Sequence, residues 1–101
     1  MDLTEQGFLR NAADWNETIA TQLAAIHAIQ LTPAHWELIH FIRDYYQQYQ
    51  HLPNTRVFIK AVANRLGIDK GNSRYLQQLF PERPLFLVCQ LAGLPKPPTC
   101  L

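Results

Sequence analysis

Residues 31–50, LTPAHWELIHFIRDYYQQYQ, decide the fold class. Thr32 is a favoured helix-capping residue, and Pro33 suits the first helical position, where a missing N–H costs nothing. Trp36, Ile39, Ile42, Tyr46 and Tyr49 recur at steps of three and four, so they share one face of a long helix. That helix is expected to end near His51, because Leu52 precedes Pro53 and pre-proline residues leave helical geometry. A one-sided apolar stripe has to be covered by other elements.

The same punctuation continues on both sides. Upstream, Gln6 to Leu9 reads as a lone extended stub. Asn11 or Asp14 then caps a helix carrying Trp15, Ile19, Leu23 and Ile26. Downstream, Thr55 caps a third helix with Phe58, Ile59, Val62 and Leu66 inward, and Gly67 terminates it. Asn72 or Ser73 caps a fourth, with Tyr75, Leu76 and Leu79 inward, and Phe80-Pro81 stops it. Pro84 opens a fifth from Leu85 to Ala92, closed by Gly93. The tail LPKPPTCL has no helical pattern, and its prolines favour extended geometry. The expectation is a single mainly α domain over 1–101, with a helical body at 1–93 and an arm at 94–101.

Composition agrees with a globular chain, being 48% hydrophobic and 17% charged over 101 residues. No apolar run approaches the roughly 20 residues that span a bilayer. The start MDLTEQGFLR lacks a signal-peptide pattern, so a cytoplasmic protein with no membrane contact is expected. Charge is uneven: residues 1–55 carry two basic against six acidic side chains, and residues 56–101 seven against two. A basic half beside an acidic half suits an anionic partner, or is simply an uneven solvated surface.

The chemistry-bearing candidates are the two cysteines, Cys89 and Cys100, eleven positions apart. In a reducing compartment, redox or sulfur chemistry is more plausible for them than a structural staple. Cys89 follows Leu85 by four and adjoins Val88, so a small buried apolar residue is one reading of it. Cys100 fits no helical periodicity, and a thiol on an arm suits sulfur or electron transfer, which needs access and approach geometry. Lys96 in the arm is a candidate to stabilise its thiolate, as are Arg56, Lys60 and Arg74 if the tail folds back toward them. No CxxC or paired-histidine spacing is present, so neither a metal nor a cofactor is expected. His35 and His40 are five apart and share a helix face poorly, while His27 and His51 read as surface residues. The alternative function is a helix-turn-helix DNA-binding regulator built on 55–66 and 73–80, with Arg56, Lys60, Arg65, Lys70 and Arg74 as phosphate contacts.

Four stretches, LTPAHWELIHFIRDYYQQYQ, RVFIKAVANRLG, KGNSRYLQQLFP and AGLPKPPTCL, resemble the DsrC/TusE family of sulfur-relay proteins, and GFLRNAADWNE extends the similarity over nearly the whole chain. The resemblance implies a small orthogonal helical bundle with a short N-terminal β-hairpin and a mobile C-terminal arm. That hairpin is expected to be truncated, since Gln6 to Leu9 supply at most half of it. It also implies that Cys100 carries sulfur as a persulfide, with Cys89 as a second redox thiol able to pair with it. The implied donor is a TusBCD/DsrEFH-type complex. The implied acceptor is either sulfite reductase or a tRNA-thiolating enzyme that makes 2-thiouridine. Such a chain is a relay partner more than a stand-alone enzyme. One departure from the family pattern is the apolar run Leu85-Phe86-Leu87-Val88, which is expected to form a greasy surface where a partner is met.

Overall fold

The computed structural model describes residues 1–98. A 3-10 turn at Ala12–Asp14 precedes five helices: α1 (Glu17–Ile26), α2 (Pro33–Tyr49), α3 (Thr55–Leu66), α4 (Ser73–Leu79) and α5 (Pro84–Leu91). Four asparagines set most of the starts. Asn11, Asn16, Asn54 and Asn72 turn their side-chain oxygens onto the backbone N–H groups of Ala13, Ile19, Val57 and Tyr75. The sequence reading placed the first cap at Asn11 or Asp14 and the third at Thr55. Asn11 in fact caps the 3-10 turn, Asn16 starts α1, and Thr55 is already helical. The short amide reaches an N–H two or three residues ahead, which frees each helix to begin directly after it.

Helix α2 starts at Thr32 and Pro33 as expected. His35 completes the start: its Nδ1 accepts from the Thr32 N–H at 3.1 Å, and its Nε2 lies 2.9 Å from the Leu79 carbonyl. An accepting Nδ1 leaves the hydrogen on Nε2, so this buried histidine ties the start of α2 to the end of α4.

The N-terminal β-hairpin is not formed among the described residues. Leu3 and Leu9 make one isolated antiparallel bridge, flanked by Thr4 N–H to Phe8 O at 2.7 Å and Arg10 N–H to Asp2 O at 3.0 Å. A turn over Thr4–Gly7 uses up the connection, and Asn11 diverts the chain into the 3-10 turn before a ladder can extend. Gln90 pins this loop to α5 through a 2.8 Å bond to the Gln6 carbonyl.

Helix α5 packs against α1, α2 and α4 and runs through the middle of the core. Leu85 and every residue from Leu87 to Leu91 are buried. A helix that is apolar all round belongs inside a domain, not on its surface. The run Leu85–Val88 is therefore core and not the partner-facing patch expected from sequence. Phe86 is half-buried, edge-on to Phe8 at 4.8 Å and covered by Arg83. Around α5 lie Leu38, Ile39 and Ile42 of α2, Phe58 and Val62 of α3, and Leu76 and Phe80 from α4 and its end. Ile26, read as inward, is 63% exposed because it closes α1 just before the backbone reverses at Ala28.

Gly71 shows how closely α3 and the α3–α4 connection approach. A Cβ at that position would meet the Ala63 backbone, so a side chain there would push the two apart.

Candidate functional site

The last turn of α5 is where the helical body hands over to the arm, and each of its carbonyls has a partner. Gly93 adopts φ +70°, which lets its N–H reach Gln90 O at 3.2 Å and the Leu94 N–H reach Cys89 O at 3.1 Å. This pair of bonds is the Schellman closure, which a left-handed glycine permits at little steric cost. The Ala92 N–H bonds to Val88 O at 2.9 Å. The two remaining carbonyls are met from outside the helix. Trp15 Nε1 donates to Leu91 O at 2.8 Å, and Arg43 Nη1 donates to Ala92 O at 2.7 Å.

Those two side chains also hold each other. The Arg43 guanidinium carbon lies 3.8 Å from the Trp15 ring centroid, a cation–π contact that positions both donors. Burial lowers the Arg43 pKa while Asp44 works against that shift. The cation stands at the negative end of the α5 dipole, where positive charge is favoured. Trp15 also crowds Gly93, so that a Cβ on residue 93 would run into the indole.

From Leu94 to Pro98 the chain has no regular secondary structure. Leu94 and Pro97 are buried, and Pro95, Lys96 and Pro98 are exposed. Lys96 lines an open cleft of about 410 Å³ together with Thr4, Phe8, Arg10 and Pro95. Cys100, the principal site residue expected from sequence, lies outside the described residues.

Cys89 is fully buried on α5. Desolvation pushes its thiol well above the ordinary value of 9.0, so it is protonated throughout the neutral range. Its sulfur is unpaired among the described residues.

The basic candidates do not converge. Arg56 and Lys60 are exposed on α3, Arg74 is exposed on α4, and none bonds to the arm root among the described residues. Lys70 pairs instead with Glu37 at 2.8 Å, fastening the α3–α4 connection to α2. Between α2 and α3 lies a second open groove of about 500 Å³, with Phe41, Tyr45, Tyr49 and Arg65 in its lining. Among the described residues no cluster of three His, Cys, Asp or Glu is placed to hold a metal, and no helix is long and apolar enough to cross a membrane.

Sequence reasoning missed Arg43 and used Trp15 only as an apolar position. The available signal was one arginine directly after Ile42 on the inward face of α2, a place where a charge needs a partner.

Compared with known families, residues 1–101 match the one described as DsrC like protein. A sulfurtransferase TusE homolog from Haemophilus influenzae is 50% identical over 101 residues, covering all of this chain and 93% of that protein. Among solved structures, DsrC of Allochromatium vinosum aligns with a TM-score of 0.89 at 45% identity, over 98% of this chain and 88% of that one. The oxidized gamma subunit of the dissimilatory sulfite reductase (DsrC) of Archaeoglobus fulgidus aligns at 0.80 and 34% identity, over 100% and 92%. A family match over the whole chain, together with relatives this similar in sequence and in fold, identifies this chain as a member of the DsrC/TusE family of sulfur-relay proteins.

Proposed function

We propose that this protein is an intracellular sulfur carrier that holds sulfur on Cys100 as a persulfide and passes it to a protein acceptor. The observation that carries this reading is the passage from buried α5, through the closed cap at Gly93, to exposed Lys96 and Pro98 just before the cysteine. Kinship with proteins named TusE and DsrC supports the same reading.

The chemistry is thiolate exchange. The Cys100 thiolate attacks the outer sulfur of a donor persulfide. One S–S bond forms at Cys100, the donor S–S bond breaks, and the donor leaves as a thiolate. Repeating the exchange on an acceptor thiolate returns Cys100 to its starting state with no net oxidation. A cysteine of ordinary pKa, about 8.5, is partly ionised at neutral pH, and Lys96 four residues away raises that fraction.

The donor is a TusBCD/DsrEFH-type complex. The acceptor belongs either to sulfite reductase-linked metabolism or to the tRNA 2-thiouridine route. Burial of Cys89 favours a carrier working through one thiol, with Cys89 packing the core. In a second reading Cys89 acts as a resolving thiol, its backbone carbonyl already bonded to the first arm residue, Leu94. In that reading the arm root has to release before Cys89 becomes accessible. The DNA-binding alternative finds no support among the relatives.

Mass spectrometry after incubation with glutathione persulfide tests the assignment. The parent protein should gain one sulfur atom, on the peptide containing Cys100, and Cys100→Ser should gain none. Equal loading of Cys100→Ser would remove Cys100 from the relay. Under mild oxidation, an intramolecular disulfide would favour the two-thiol reading, and persistent Cys89 thiol the one-thiol reading.

A further inference from the structure

We infer that Arg43 and Trp15 are positioning residues for the relay arm: together they clamp the C-terminus of α5 and set the direction in which residues 94–98 leave the body. The inference rests on the proposed role of the arm, but the geometry behind it does not.

Three observations point to a clamp and not to ordinary packing. Trp15 and Arg43 come from different elements, one from the segment before α1 and one from α2. They donate to consecutive carbonyls, Leu91 O at 2.8 Å and Ala92 O at 2.7 Å. The guanidinium stacks 3.8 Å over the indole, so neither donor can swing away without losing the other. The same indole also fills the space beside Gly93, the residue whose left-handed backbone turns the chain.

A cap alone would satisfy carbonyls but leave the exit direction to the φ and ψ of residues 93–95. Two external donors and a ring against the turning residue narrow the φ and ψ open to Gly93, and with them the directions in which the chain can leave. Cys100 is two residues beyond Pro98 in the sequence, so the direction set at Gly93 fixes where the segment leading to it begins. Transfer between two proteins is sensitive to such placement, because misplacing a reacting atom by about 1 Å can cost on the order of a hundredfold in rate. Arginine is required more than charge as such, since lysine lacks the flat fork that stacks and donates together.

The test is made on the full chain in a Cys89→Ala, Cys100→Ser background. Spin labels are attached at Lys96→Cys, on the arm root, and at Ile68→Cys, which is 81% exposed on the α3–α4 connection. Pulsed electron resonance then reads the distance distribution between them. The expected result is that Trp15→Phe and Arg43→Lys each widen or shift the distribution, to about twice the parent width, with circular dichroism unchanged at the same temperature. Trp15→Phe keeps the stacking ring and loses only its donor, so it serves if Arg43→Lys unfolds. An unchanged distribution in folded Trp15→Phe, whatever its loss of thermal stability, would overturn the clamp and leave a purely structural contact.

Persulfide loading from glutathione persulfide is measured separately, in variants that retain Cys100. Loading by the clamp variants should stay within about twofold of the parent, because a small donor needs only an accessible thiol. No loading in the parent combined with a widened distribution would sink the relay reading and leave the clamp standing. Loading in the parent with an unchanged distribution would do the reverse.

Discussion

Within eight residues the chain passes from Cys89, in the centre of the core, to Lys96, in solvent. The first belongs to a helix surrounded by α1, α2 and α4, and the second to a proline-rich segment with no regular hydrogen bonding of its own. Between them stands the cap at Gly93, satisfied on every carbonyl. Each carbonyl left unpaired there would cost about 1–3 kcal/mol, so the boundary between the two regions is held firmly. The contrast separates the two cysteines chemically. Burial keeps Cys89 protonated, and a protonated thiol is neither a nucleophile nor a good leaving group. Reactivity in such a protein depends less on having a thiol than on which side of the cap it stands.

The sharpest way to break the contrast is alkylation. Iodoacetamide applied to the native protein should modify Cys100 at least roughly a thousandfold faster than Cys89, because Cys89 reacts only when α5 opens. Peptide mass mapping over time measures the ratio, and rates within tenfold of one another would end the distinction. Core truncation comes next in size. Leu91→Ala should lose about 2–5 kcal/mol in urea unfolding, against less than about 0.5 kcal/mol for Lys96→Ala. Gly93→Ala combines a left-handed backbone with the Trp15 contact, and should cost more than the roughly 1–2 kcal/mol of the conformation alone. That corresponds to a drop of several degrees in Tm for a domain of this size.

The smallest expected effect is in the pH dependence. The folded Cys89 pKa is raised, so above about pH 9 the unfolded chain releases this proton while the folded chain keeps it. Stability from this group is intact below the unfolded value and falls above it, by up to about 1.4 kcal/mol per pH unit. The difference between the parent and Cys89→Ala in unfolding midpoint should therefore shrink from pH 8 to pH 10. A constant difference would mean that Cys89 meets water in the folded state.

Much of the body was legible because its signals are local. Thr32-Pro33, the three-and-four spacing through α2 and the glycine at residue 93 each act within a few residues. The caps at Asn16 and Asn54 were missed by one or two positions, since neighbouring Asp14 and Thr55 carry the same capping chemistry. The hairpin was a wrong expectation: resemblance supplied it, but Asn11 leaves no room for a ladder. Phe86 and its neighbours were read as a surface because an apolar run does not state which elements will cover it.

By itself, then, the sequence determined the number of helices, where most of them start and stop, and the presence of one cysteine before the turn and one after. Only the tertiary structure decided that α5 is central, that Cys89 is sealed inside it, and that His35, Trp15 and Arg43 complete hydrogen bonds to carbonyls 44, 76 and 49 residues away. The reason is physical. Capping and periodicity are settled by neighbours along the chain, whereas burial and the pairing of helix-end carbonyls depend on which distant side chains packing brings alongside.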